Sequence, residues 1–346
     1  MENWIKYQGK RDDLVLSSRI RLARNIDKMP FPHKLSVEKG REVVPLVEDA
    51  FYRSVHMREE YATNYLCDRD IIANQVYLER HLISKNLINN SDKAAFIIDK
   101  NETVSVMVNE EDHIRIQCIT SSLNLEEAYD LSNKIDNLLE EKLSYAFNEK
   151  LGYITSCPTN IGTGLRASVM IHLPTLSLNN KMNGVINAVS QVGMTVRGLY
   201  GEGSKAYGNI YQISNQVTLG LSEEEIISNL EAVVKQIISE ENLLREDLIK
   251  NYKYEIEDRI YRALGMLKSA VLLNSNECIK LLSDVRLGVE MGIIKDVDNA
   301  ILNNLLVDTQ PASIQQIHKE KLSNKEIELN RAKLVKGRLA KVILWY

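Results

Sequence analysis

From residue 14 the chain alternates. Leu14, Leu16, Ile20 and Leu22 are interleaved with Ser17, Arg19 and Arg21. Successive side chains of a strand point to opposite faces, so this run predicts a strand with both arginines opposite most of its large apolar residues. Leu165, Ala167, Val169, Ile171 and Leu173 alternate likewise with Arg166, Ser168 and His172, and Ile114 and Ile116 flank Arg115. Residues 94–98, a turn at Asp99-Lys100-Asn101, residues 103–108 and then 114–119 predict an antiparallel meander, with Val104, Val106 and Val108 on one face. Further strands are expected over 153–157 and from Met194 and Ile210, the last two flanking a glycine-bearing loop over 198–208.

Elsewhere the period becomes helical. Ser36 is a candidate N-cap for a helix reaching towards Met57. Asn124, with Glu127 three residues on, precedes an apolar stripe of Leu125, Ala128, Leu131, Ile135, Leu138 and Leu139. Val185, Ile186, Val189 and Val192 mark another helix, and Ser222 with Glu225 forms a capping-box pattern before Ile226, Ile227, Leu230, Val234 and Ile237. Beyond a polar stretch between Glu241 and Tyr254 no strand alternation returns. The fold class expected is therefore α+β, a large antiparallel sheet flanked by helices over 1–250, followed by an all-helical C-terminal domain over 251–346.

At 346 residues, 44% hydrophobic and 26% charged, the composition is that of an ordinary globular protein. The 43 basic and 47 acidic residues leave a net charge of −4 and no global electrostatic case for nucleic acid or an anionic membrane. Cys67, Cys118, Cys157 and Cys278 lack CxxC spacing, which points to a reducing compartment rather than a disulfide framework. Neither a signal-peptide core nor an apolar run of ~18 residues is present, so a cytoplasmic protein is expected.

Any basic site must then be local. If the alternating strands share one sheet, Arg19, Arg21, Arg115 and Arg166 converge on one side of it, joined by Arg197. Such cations repel one another unless a polyanion lies among them, and guanidinium forks match phosphate oxygens, so a nucleoside triphosphate is the expected guest. Taken singly, each arginine reads as a surface ion pair. No Walker sequence occurs, and Gly162-Thr163-Gly164-Leu165-Arg166-Ala167 leads into a strand pattern rather than the helix a dinucleotide fingerprint requires. His113 and His172 lack companions at metal-ligand spacing, and no metal ligands are expected.

Four blocks carry a resemblance. Ser17-Ser18-Arg19-Ile20-Arg21, Asn109-Glu110-Glu111-Asp112-His113-Ile114-Arg115, Cys157-Pro158-Thr159-Asn160-Ile161-Gly162-Thr163-Gly164, and Arg197-Gly198 followed by Gly201-Glu202 resemble, in order, the signature blocks of the guanidino kinases. These enzymes transfer the terminal phosphate of ATP to a guanidinium group. The resemblance implies that the five arginines bind the ATP phosphates, with Ser17, Ser18 and His81 also at the nucleotide and Mg2+ held mainly by phosphates and water. It implies that Glu111 and Glu202 hold the guanidinium and accept its proton, that Cys157 modulates the site, and that the 198–208 loop is a lid. Glu110 or Asp112 would orient metal-bound water or a neighbouring arginine.

Within that family the first arginine block begins at Ser17, leaving no room for the helical domain that precedes it in kinases of free arginine or creatine. That feature and the helical extension after Lys250 resemble the bacterial protein-arginine kinases of the McsB type, as do the 197–204 run and Asp258-Arg259-Ile260-Tyr261-Arg262-Ala263. The branch implies protein substrates bearing exposed or unfolded arginines, a homodimer built through the helical region, an activator protein and Clp-type protease components. Two positions depart from it: Lys205 stands where a glutamate is expected, and Ile327-Glu328-Leu329-Asn330-Arg331-Ala332 lacks one arginine of a phosphoarginine-recognition motif. Weak or absent phosphoarginine binding is expected there. The competing readings are a free-arginine phosphagen kinase and a catalytically inactive phosphoarginine-binding adaptor.

Overall fold

The computed structural model describes residues 3–7, 13–198, 206–319 and 321–340. In chain order the first part comprises β1 (Val15–Arg24), α1 (Val37–Phe51), α2 (Val55–Glu60), β2 (Tyr61–Tyr65), α3 (Ile71–Glu79), α4 (Lys85–Asn89), β3 (Ala95–Asp99), β4 (Val104–Val108), β5 (Ile114–Ser121) and α5 (Leu125–Glu140). A two-residue hairpin, β6 (Phe147–Asn148) and β7 (Gly152–Tyr153), leads to β8 (Leu165–His172), α6 (Pro174–Leu178), α7 (Met182–Gln191), β9 (Met194–Gly198) and β10 (Ile210–Asn215). Helices alone follow: α8 (Glu223–Asn251), α9 (Lys253–Ser269), α10 (Ser275–Glu290), α11 (Asn299–Asp308), α12 (Pro311–His318) and α13 (Asn324–Leu339).

Eight strands form one antiparallel sheet in the order β2-β3-β4-β5-β1-β8-β10-β9. The expected meander occupies one half, and β1 crosses to the centre, where it pairs with both β5 and β8. One face is largely apolar. Ile20, Leu22, Val106, Ile116, Ala167 and Val169 bury against Val43 and Val47 of α1, Ala128 and Leu139 of α5, Val185 of α7 and Leu230 of α8. The other face is split between an apolar half and a half that carries the arginines. Leu16, Ile119, Met170 and Ile210 pack with Trp4 against α9, α10, α11 and α13, so the C-terminal helices cover half of the sheet that the earlier helices leave open.

Leu16 departs from simple alternation. A register shift between Val15 and Ser17 inserts a bulge in β1, which sends Leu16 to the arginine side while Val15 joins the opposite core. Other expectations shift for local reasons. The helix capped by Ser36 stops at Phe51, and Ser54 starts a new short helix by accepting the Met57 N–H at 3.2 Å. Asn124 does not cap α5 through its side chain; its own N–H is taken by Ser18 Oγ at 2.9 Å. Of the expected 153–157 strand only Tyr153 is paired as strand, with Gly152 before it; Ile154 keeps one backbone bond, to Ala146 O, and side-chain bonds hold Thr155 and Ser156. The Ser222 capping box forms as expected, with Ser222 N–H to Glu225 Oε2 at 2.8 Å and Glu225 N–H to Ser222 Oγ at 3.2 Å.

Buried ionic contacts join the two helical layers to the sheet. Glu241 of α8 accepts the Thr175 and Leu176 N–H groups at the start of α6, and Arg245 bridges Glu241 at 3.0 Å to Glu290 of α10 at 2.7 Å. His172 of β8 completes the set, with Nδ1 2.9 Å from Glu290 and Nε2 2.9 Å from Ser283. Among the described residues no helix is long and apolar enough to cross a membrane.

Candidate active site

Four strands deliver the cations. Arg19 and Arg21 on β1, Arg115 on β5, Arg166 on β8 and Arg197 on β9 all line one cavity of about 640 Å³, together with Glu110, Glu111, Cys157 and Gln212. Register forces them together. Arg21 lies directly opposite Arg166, an arrangement in which like charges repel. Arg19 is pushed down to about 10 by desolvation and then by Arg115 and Arg166, and Arg21 is pushed well down by the same causes with Arg19 added, Glu110 opposing. Arg19 bonds neutral groups, Ser168 Oγ at 3.3 Å and Gln212 Oε1 at 2.8 Å. Arg21 Nε is buried with no hydrogen-bond partner. Clustered guanidinium donors in this state fit an anion with several phosphate oxygens.

The acids occupy the turn between β4 and β5. Asn109 takes a left-handed φ of 60°, which a short amide side chain tolerates, and its Nδ2 donates to Gly40 O at 2.7 Å and Lys93 O at 2.9 Å. Glu110 is buried: it accepts Ser84 Oγ–H at 2.5 Å, pairs with Arg115 at 2.7 Å and accepts the Glu111 N–H at 2.9 Å. Glu110 therefore orients an arginine and pins the backbone of its neighbour. Glu111 is half-buried and lines the cavity. Burial raises its carboxyl above the ordinary glutamate value, and repulsion from Glu110 adds to this against the pull of Arg115. A carboxylate so raised is the stronger base.

Asp112 and His113 point inward. Asp112 Oδ1 accepts from Asn25 Nδ2 and from the Ser156 N–H, both at 2.6 Å. His113 Nδ1 accepts the Ile26 N–H at 3.2 Å, which leaves its Nε2–H to donate to Pro30 O at 3.0 Å, and burial holds its pKa down to about 4. His113 is thus a neutral packing group.

Cys157 is half-buried at the cavity wall, its Sγ 3.0 Å from Thr159 Oγ1. The loop that carries it depends on glycine. Gly162 has φ 113°, and a Cβ there would lie 2.2 Å from Thr218 O; at Gly164, φ 64°, it would lie 2.7 Å from Ala23 O.

Ser17 and His81 line a smaller adjoining cavity with Trp4, which shares Arg19 and Gln212 with the larger one. His81 is lowered to about 4 by burial and then by Arg19. Ser18 corrects an expectation: it faces the other side of the sheet, where its hydroxyl donates to Ser122 O at 2.8 Å and accepts from Asn124 N–H at 2.9 Å, out of reach of the cavity. Glu202 and Lys205 lie outside the described residues, as does most of the expected lid. Arg331 is buried and donates to Thr309 O at 2.7 Å and Leu273 O at 2.8 Å, so it braces helix ends.

Sequence reasoning missed Ser84 and Gln212. Ser84 caps α4 while donating to Glu110, and the ambiguous pattern over 64–92 concealed it. Gln212 sits opposite Arg197 in the β10–β9 register, and the alternation of Ile210, Gln212 and Ser214 with Tyr211 and Ile213 was the available signal. Among the described residues no three His, Cys, Asp or Glu side chains are grouped to hold a metal ion.

A central antiparallel sheet that gathers five arginines beside a paired-acid turn and a cysteine loop defines a guanidino phosphotransferase. The family model "ATP:guanido phosphotransferase, C-terminal catalytic domain" matches residues 42–244, and the chain belongs to that family. The "Protein-arginine kinase McsB C-terminal domain" matches residues 253–343. Over the whole length the chain is similar to the protein-arginine kinase of Clostridium kluyveri, 67% identical over 98% of this chain and 99% of that one. It is similar also to that of Clostridium acetobutylicum, 57% identical over 98% of this chain and 100% of that one. Among solved structures, lombricine kinase matches with a TM-score of 0.60 at 27% identity, over 70% of each chain. A duplicated taurocyamine kinase from Schistosoma mansoni shares the fold with a TM-score of 0.60 at 24% identity, over 78% of this chain and 41% of that one.

Proposed function

We propose that the protein transfers the terminal phosphate of ATP to a guanidinium nitrogen of arginine side chains in proteins. The observation that carries this reading is the shared cavity, in which Glu111 and Cys157 face Arg19, Arg21, Arg115, Arg166 and Arg197. Full-length relatives that bear the name protein-arginine kinase support the choice of acceptor. The arginines hold the triphosphate and offset the charge of the transferring group. A guanidinium is protonated at neutral pH, so its nitrogen must lose a proton as it bonds to phosphorus. Glu111 takes that proton, while the bond from phosphorus to the ADP oxygen breaks and ADP leaves with the electron pair. Glu202 serves as the second carboxylate on the guanidinium, and Cys157 borders it as a modulator.

Ser17 and His81 shape the cavity beside the nucleotide. Because Glu110 is committed to Ser84 and Arg115, Mg2+ is held by phosphate oxygens and water rather than by a carboxylate cage. We assign 1–250 to catalysis and 251–346 to dimerisation and to substrate or phosphoarginine recognition. The substrates are proteins with exposed or unfolded arginines, in the cytoplasm, with an activator and Clp-type protease components as partners of a homodimer.

Incubation with ATP and Mg2+ plus either an unfolded protein or free arginine tests the reading. Acid-labile phosphate on arginine residues of the protein, located by mass spectrometry, is the expected result. Rapid conversion of free arginine with unmodified protein would identify a phosphagen kinase instead, and no ATP consumption an inactive adaptor.

A further inference from the structure

We propose that Asp112 and Asn25 are positioning residues that tie Glu111 and Cys157 to each other and to the arginine-bearing strand, through one buried carboxylate oxygen. The inference rests on the phosphotransfer reading for its consequence, but its geometry stands apart from it. Asp112 is 3% exposed and Asn25 1%. Asp112 Oδ1 accepts at 2.6 Å from Asn25 Nδ2 and at 2.6 Å from the Ser156 N–H. Glu111 is the residue before Asp112 and Cys157 the residue after Ser156, so a single oxygen spans the two loops that present the base and the thiol.

Asn25 completes the bracket. Its Nδ2 also donates to Ile154 O at 3.0 Å, its Oδ1 accepts the His113 N–H at 2.9 Å, and its own carbonyl accepts the Ala146 N–H at 2.7 Å. It directly follows Arg24, the last residue of β1, the strand that carries Arg19 and Arg21. Two chain segments, 112–113 and 154–156, are thereby fixed to the end of the same strand that holds the phosphate-binding cations. Burying a carboxylate one residue from Glu111 and two from Glu110 opposes stability, since like charges repel and desolvation is costly. A shared, charged acceptor for two donors is what this arrangement gains, and in-line transfer is sensitive to displacements of an ångström.

The test compares Asp112→Ala, which removes both bonds, with Asp112→Asn, which keeps an acceptor oxygen in place. In Asp112→Ala, kcat on unfolded protein falls roughly 10- to 100-fold while KM for ATP stays within about twofold; in Asp112→Asn, kcat falls less than about threefold. Iodoacetamide alkylation of Cys157, followed by peptide-resolved mass spectrometry, accelerates in Asp112→Ala alone. Should Asp112→Ala fail to fold, Ser156→Pro removes the N–H donor, with Ser156→Ala as the control for the hydroxyl contact to His33 that both lose, and only Ser156→Pro is expected to behave like Asp112→Ala. Unchanged kcat and unchanged alkylation in a folded variant overturn the bracket, as does an Asp112→Asn loss equal to that of alanine. Alkylation needs no turnover. A wild type that leaves protein arginines unmodified, yet shows the alkylation difference, sinks the functional reading and supports the bracket.

Discussion

Two sets of arginines in this molecule are held in opposite ways. Arg24 and Arg245 are buried with carboxylates: Arg24 donates to Asp136 at 2.7 Å and stacks 3.5 Å from the centroid of the Tyr153 ring, and Arg245 lies between Glu241 and Glu290. Burial pushes Arg245 down, yet Glu290 and Glu241 outweigh it and raise the group above its ordinary value. In the cavity the balance reverses, and Arg19 and Arg21 are lowered by desolvation and then by neighbouring arginines. Structural arginines are folded together with their counter-charges. Arg19 and Arg21 are held by strand register against other arginines, and a polyanion entering the cavity relieves that repulsion and stabilises the fold.

The largest effect expected from this contrast belongs to the base beside the cations. Glu111→Gln should lower kcat roughly 100- to 10,000-fold while ATP still protects the protein against thermal unfolding; near-normal turnover would remove Glu111 from the chemistry. Next come paired substitutions, one from each set. Arg245→Met takes the shared arginine from the buried Glu241 and Glu290, at a cost of about 3–5 kcal/mol, read as a fall in Tm with or without ATP. Arg21→Met relieves repulsion and should raise the Tm of the nucleotide-free protein by roughly 1–4 °C while raising KM for ATP. Equal losses of stability at both positions would erase the distinction.

A smaller effect follows from acidity. Because the Glu111 carboxyl is raised and acts as the carboxylate, kcat/KM should fall as pH drops through a value above the ordinary glutamate range, and a pH-rate profile reads this. An acid limb within the unperturbed range would contradict the raised value. Smallest of all, Cys157→Ala should weaken turnover by about tenfold or less without abolishing it, and complete loss in a folded protein would make the thiol indispensable.

The arginine face was legible because a strand has a period of two. Once Arg19, Arg21, Arg115 and Arg166 fall at alternate positions between apolar residues, any sheet with an apolar side sets them on the other. The same rule misplaced Leu16, since a bulge of one residue reverses the face and leaves no mark in the spacing. Ser18 failed for a related reason: membership in a sequence block says nothing about the side of the sheet, and past the bulge the even positions on β1 point away from the cavity.

What the chain determined unaided is periodic or local: the alternating strands, the capped helix from Ser222, and the run of acids at 110–112 with its cation at 115. What tertiary structure alone decided is which distant groups share an atom. Arg21 meets Arg166 across a strand pair 145 positions apart only because β1 lies between β5 and β8, and Asp112 grips Ser156 only because the end of β1 brings Asn25 between them. Neither contact has a period, because long-range pairing depends on strand order and register, which the spacing of residues along one segment does not encode.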